Sequence, residues 1–303
     1  TDEGPCNAID YRAEGIIGAA FSGAACDRLK RDHDALEKQG AAVRWLDADA
    51  ARRHEPALAE TVQGALLAPD DGQVDPPATL AALQAAFEKR GGRLLRAAKV
   101  VRLLTSQGRI EGVRLADRSE LFARTVVLAA GVSAAALVPR LSRASARDRG
   151  PDGAPALFPV KGDALALAGD GLALQRTIRT EGAYICPKSD ERIVIGASET
   201  PHDATLVPDD ETIAALREAA TGVVPGLAGL REWARWAGLR PATSDRAPIV
   251  GPDPEISGLF YALGHFRNGV LLAPLTADIL ADRIADGALS HWFIPFSIER
   301  FDP

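Results

Sequence analysis

Near the C-terminus an apolar run, Leu259-Phe260-Tyr261-Ala262-Leu263, passes through Gly264-His265-Phe266-Arg267-Asn268-Gly269 into Val270-Leu271-Leu272-Ala273-Pro274. The first run has the character of a buried strand, and the residues beyond the turn open an amphipathic helix. Glycine, a cation and an amide are thus packed where a strand hands over to a helix. Such a junction presents backbone N–H groups without intrahelical partners and the positive end of the helix dipole. A second run, Thr125-Val126-Val127-Leu128-Ala129-Ala130-Gly131, is continuously apolar, as a parallel strand covered on both faces would be. It ends in small residues that let another group come close. Strands of this kind, feeding helices, predict an α/β fold with α+β parts.

The rest of the chain supplies the remaining elements. Residues 10–21 read as a strand containing Gly15 and Gly18, and Asp27–Gln39 as an exposed helix closed by Gly40. Residues 42–46 form a short strand, after which Asp47 caps a short helix ending before Pro56. Gly64–Ala68 is an apolar strand. Asp75-Pro76-Pro77 starts a helix in which Leu80, Leu83 and Phe87 recur at helical spacing until Gly91-Gly92. A run of strands follows at 99–104, 110–115, 120–123 and 125–130. Residues 141–155, rich in Arg, Ser, Gly, Asp and Pro, read as a loop. Strands resume at 158–167, 183–186 and 192–197, and a helix at 209–220 is capped by Asp209 or Asp210.

Composition narrows the function. Hydrophobic residues make up 47% and charged residues 25% of 303 residues, as in a globular protein of one large or two ordinary domains. A net charge of −6 argues against nucleic acid and against anionic membrane surfaces. No apolar run approaches the ~20 residues of a membrane span. Three cysteines without a Cys-x-x-Cys pair fit a reducing compartment, so a cytoplasmic location is expected, without zinc. The five histidines lack metal-ligand spacing, and no Gly-x-Ser-x-Gly elbow occurs. Asp70-Asp71-Gly72 and Asp75 lack the ligand spacing of a calcium loop and read as a turn plus a cap.

Upstream of the final junction stand Trp236-Ala237-Gly238-Leu239-Arg240-Pro241-Ala242-Thr243 and Asp245-Arg246-Ala247-Pro248-Ile249-Val250-Gly251-Pro252. With the Gly264–Pro274 block, these resemble the C-terminal half of the FAD-dependent D-amino acid oxidase (DAO) family. The likeness is nearest to its glycine-oxidase group, of thiazole (thiamine) biosynthesis, and extends over nearly the whole chain. It implies a Rossmann-like FAD-binding domain, residues 75–140 and 236–303, interleaved with an antiparallel-sheet substrate domain, residues 1–74 and 141–235. Arg240 lies before a proline, which biases its backbone toward extended geometry, and its guanidinium fork suits a carboxylate or a structural ion pair. By the resemblance it clamps the substrate carboxylate. Tyr184, on an alternating strand, is read either as half-buried with a wet hydroxyl or, by likeness, as reaching that carboxylate. Arg267 is expected over the substrate. His265, Phe266, Arg267, Asn268, Gly269, Val270 and Leu271 are expected around the flavin, with His265 in a positioning role. Gly269 is expected to permit positive φ and close backbone approach. Val100 is expected to meet the adenine through its backbone, Gly131 to lie near the ribose and pyrophosphate, and Gly238 to join the cofactor contacts. No residue is assigned acid–base catalysis.

The implied activity is FAD-dependent oxidative deamination of glycine, a small amino acid or a secondary amine, through an imine to an oxo acid, with O2 reduced to H2O2. A dehydrogenase of sarcosine, proline or another D-amino acid is the alternative enzyme, and a flavin-free remnant the alternative without activity. The expected partners are the amine and O2, with homo-oligomerisation left open. One departure from the family stands out: no Gly-x-Gly-x-x-Gly turn, the usual seat of the pyrophosphate, occurs in the chain. Three readings follow: the segment carrying it is removed or not shown, another chain supplies it, or flavin has been lost. On the first two, these 303 residues alone are expected to hold FAD weakly and to be inactive.

Overall fold

A computed structural model describes residues 7–141, 157–287 and 291–301. The elements in chain order are β1 (Ile16–Ala20), α1 (Gly23–Lys38), β2 (Arg44–Asp47), α2 (Ala48–His54), β3 (Gly64–Ala68) and α3 (Pro76–Lys89). Next come β4 (Val100–Ser106), β5 (Arg109–Leu115), β6 (Glu120–Phe122), β7 (Val126–Leu128), β8 (Phe158–Ala168), β9 (Thr177–Arg179), β10 (Tyr184–Pro187), β11 (Arg192–Gly196) and β12 (Thr200–Pro201). The chain continues with α4 (Asp210–Val223), β13 (Glu232–Ala242), β14 (Ile249–Pro252), β15 (Leu259–Leu263) and α5 (Gly269–Asp286). The expected mixed α/β fold is thus present. No described helix is long and apolar enough to cross a membrane.

Backbone contacts divide the described residues into two compact units. The first takes those up to Leu94, with Gly162–Glu199 and Leu206–Ala237; the second takes Leu95–Lys161, Thr200–Thr205 and those from Gly238 on. The division falls inside β8 and β13. The contacts place α3 with the first unit. The reason is at its start, where the Asp75 N–H donates to Ile9 O at 2.9 Å and the Asp75 carboxylate pairs with Arg192 at 3.0 Å.

In the first unit the strands run β8–β11–β10–β9–β1–β3–β2, antiparallel except for β1 beside β9. Alternation sends Ile17, Leu165, Leu167, Ile178, Ile185, Ile193 and Ile195 to one face, where they join Ile213, Leu216 and Ala220 of α4 in the main core. Local chemistry fixes the helix starts. Asp47, Asp75 and Asp209 accept the N–H groups of Ala50, Ala78 and Thr212. Ser22 does the same for Ala25, so α1 starts earlier than the expected Asp27. The strand expected over 10–21 is shortened to β1, because Asp10 (φ 49°) and Gly15 (φ 84°) both turn the chain away from extended geometry. The loop expected at 141–155 lies, beyond Leu141, outside the described residues.

The second unit holds an antiparallel meander, β4–β5–β6, and a sheet in the order β14–β15–β7 with β7 parallel to β15. Beneath β15, fully buried Tyr261 donates its hydroxyl proton to Asp253, which also pairs with Arg140. Burial and the adjoining carboxylate push the Tyr261 phenol well above its ordinary range. One expectation changes here. β7 is not covered on both faces: Val127 is 43% exposed, because its side chain lines a cavity on one face of the sheet.

Candidate functional site

The second unit contains a cavity of about 590 Å³ where β15 passes into α5. Its walls are almost wholly apolar, with small residues Ala129, Gly131, Ala262, Gly269, Ala273 and Ala277 between Val127, Pro241, Phe266, Leu280 and Ile284. Two left-handed residues shape the junction. Gly264 has φ 71°, and a Cβ on it would lie 2.6 Å from Thr243 Cγ2; Phe266 has φ 48°. Phe266–Asn268 then makes one 3-10 turn, and α5 starts at Gly269 without a side-chain cap from Asn268. An uncapped start directs partial positive charge outward. His265 Nε2 lies 2.9 Å from Thr276 Oγ1, and burial lowers its pKa below the ordinary 6.5, which favours neutral imidazole.

The residues singled out from the sequence fall in several places. Gly131, His265, Phe266 and Gly269 line this one cavity. Gly131 has φ 53°, with nothing within 4 Å of where a Cβ would stand. Gly269 departs from expectation: its φ is −59°, ordinary helix, and a Cβ would only touch His265 Cβ at 3.7 Å. The left-handed turn is made by Gly264 and Phe266 instead. Arg267 and Asn268 are exposed on the 3-10 turn. Val270 and Leu271, in the first turn of α5, are 62% and 79% exposed. Gly238 and half-buried Arg240 lie on β13, next to the lining residue Pro241. Val100 starts β4 in the meander, and Tyr184 starts β10 in the first unit. Pro241, Thr276 and the alanines of the wall were not singled out. Thr276 did carry a signal, as the first hydroxyl after the apolar stretch that follows Asn268. Among the described residues no group of three or more His, Cys, Asp or Glu could hold a metal ion.

Comparison with known proteins gives the family. The DAO family model, described as FAD dependent oxidoreductase, matches residues 2–283. Glycine oxidase of Bacillus licheniformis is 32% identical over 297 residues, which span 96% of this chain and 75% of that protein. The hydrogen cyanide synthase subunit HcnC of Pseudomonas aeruginosa is 33% identical over 261 residues, 86% of this chain and 60% of that protein. The crystal structure of glycine oxidase from Geobacillus kaustophilus superposes with a TM-score of 0.87 at 32% identity, covering 96% of this chain and 76% of that one.

The cavity suits a flavin ring. Its volume lies within the ~300–1,000 Å³ usual for ligand sites, and apolar walls with a few polar groups are what a flat heteroaromatic ring needs. Small residues and the open space at Gly131 allow close approach, and the start of α5 offers N–H groups. From the match over residues 2–283, the chain belongs to the DAO family of FAD-dependent oxidoreductases.

Proposed function

We propose that the protein oxidises glycine, another small amino acid or a secondary amine to an imine, which water converts to the oxo acid. The apolar cavity at the β15–α5 junction carries this reading, in a chain whose relatives include glycine oxidases. FAD bound there supplies the acceptor for the two electrons of the amine, and O2 takes them on to leave as H2O2. The chain's residues bind and orient. His265, Phe266 and Gly269 hold the ring, and the N–H groups of Gly269, Val270 and Leu271 favour negative charge at its edge. Arg240 takes the substrate carboxylate by its guanidinium fork, Tyr184 donates its hydroxyl proton to a carboxylate oxygen, and Arg267 covers the substrate. The substrate's Cα–H bond breaks with both its electrons from the neutral amine, so no side chain serves as a base. Val100 meets the adenine through its backbone, and Gly131 and Gly238 face the rest of the dinucleotide.

The test is oxygen uptake and peroxide release by the FAD-loaded protein with glycine or sarcosine. One H2O2 per O2 consumed is expected. Turnover that needs an artificial dye and leaves O2 untouched would make the protein a dehydrogenase.

A further inference from the structure

Four strands of the first unit bring Arg179, Tyr184, Gly196 and Ala164 into one row across the sheet. Tyr184 is opposite Arg179 on β9 and Gly196 on β11, and Gly196 is opposite Ala164 on β8. Neighbours Ile185 and Ile195 point into the main core, so the row stands on the other face. Tyr184 packs there against Ala166, Cys186 and Val194. A Cβ placed on Gly196 would lie 2.7 Å from Tyr184 Oη, 2.8 Å from Cζ and 3.0 Å from Cε1. The hydroxyl end of the phenol therefore fills the space beside Gly196 where a side chain would stand. Gly196 is not among the positive-φ residues, so a left-handed turn is not what places glycine here. The ring is.

We propose that Gly196 is a positioning residue: its missing side chain lets the Tyr184 phenol lie across β11 and fixes the hydroxyl where it meets the substrate carboxylate. The proposal rests on the reading of Tyr184 given above. A methyl at 196 has to lift the ring, because real Cβ atoms do not approach within 3.0 Å. Ala166, Cys186 and Val194 limit where the ring can go. The hydroxyl at its far end then moves most.

The experiment uses acetate as the carboxylate probe, titrated into FAD-loaded protein and followed by the flavin absorbance change. Wild type, Gly196→Ala, Tyr184→Phe and the double variant are compared. A charge-assisted hydrogen bond sets the scale, so Gly196→Ala and Tyr184→Phe should each weaken acetate by roughly tenfold. In the Tyr184→Phe background the alanine should change the affinity by less than about twofold, since the group it displaces is already gone. With glycine, Gly196→Ala should raise KM and leave kcat nearly unchanged. Equal weakening by the alanine in both backgrounds, or none in wild type, overturns the proposal while leaving the role of Tyr184 intact. No effect of Tyr184→Phe removes that role and the proposal with it. Should Gly196→Ala fail to fold, Gly196→Ala/Tyr184→Ala decides: restored folding supports the ring as the obstacle, and continued failure overturns it.

Discussion

Arg240 and His265 carry two different proposed roles, one for charge geometry and one for a neutral ring. Arg240 stands before Pro241, which lines the cavity and restricts the preceding backbone. If its fork takes a carboxylate, charge alone does not suffice. Arg240→Lys should lower kcat/KM for an amino acid by about 2–3 kcal/mol, the range of charge-assisted hydrogen bonds lost in pairs. Steady-state kinetics check this, and unchanged kinetics in Arg240→Ala would remove Arg240 from the substrate. His265 acts through what it does not carry. Burial holds its pKa below 6.5, so the unfolded chain binds a proton that the folded chain resists. Stability therefore falls as pH drops below about 6.5 and is unaffected by this group above it. His265→Gln keeps a polar partner for Thr276, and the difference in melting temperature between variant and wild type should shrink or reverse on acidification. A difference that stays constant from neutral to acidic pH would contradict the neutral buried imidazole.

At the scale of elements, the β15–α5 junction separates two glycines that look alike in the sequence. Gly264 has φ 71° and meets Thr243 Cγ2, whereas Gly269 has helical φ and open surroundings. Gly264→Ala should cost about 2 kcal/mol or more through strain and collision. Gly269→Ala should be neutral or stabilise by up to about 1 kcal/mol, since alanine is the better helix former. Denaturant melts of both variants test this, and a large loss in Gly269→Ala would mean its helical geometry is misread. The junction itself was legible, because an apolar strand, a turn and an apolar helix follow one another. Which glycine carried the turn was not, since a φ angle leaves no trace in composition. The same divide recurs elsewhere. Asp47, Asp75 and Asp209 announce their helices by cap chemistry confirmed at Ala50, Ala78 and Thr212. Ser22 was overlooked because Gly23 after it reads as a break, and β9 escaped because three residues carry too little periodicity. The collision of Gly196 with Tyr184 is a cross-strand relation, invisible until β10 and β11 are in register.

At the scale of the molecule, burial is uneven. The first unit closes a full core between its sheet and α4, yet the apolar stripe of α3 stays open, with Leu80, Leu83 and Phe87 exposed by 58%, 62% and 50%. The helical spacing puts them on one face, and no residue of α3 is buried. The second unit repeats this on α5, where Val270, Leu271 and Leu275 are 62%, 79% and 55% exposed. Contiguous apolar surface of this kind is uncommon on a monomer in water and favours association. The 303-residue polypeptide is therefore expected to bind the dye ANS and to self-associate in proportion to its concentration. Leu83→Lys with Phe87→Lys places two charges on the exposed stripe, where they cost helix α3 little, because lysine is a good helix former and neither side chain is buried. The double variant should bind less ANS and shift toward the monomer in sedimentation, with the melting temperature nearly unchanged. If it instead unfolds, the α3 stripe is packed in solution. If dye binding and sedimentation stay as in the wild type, association proceeds through another surface, of which the first turn of α5 is the next to test by Leu271→Lys.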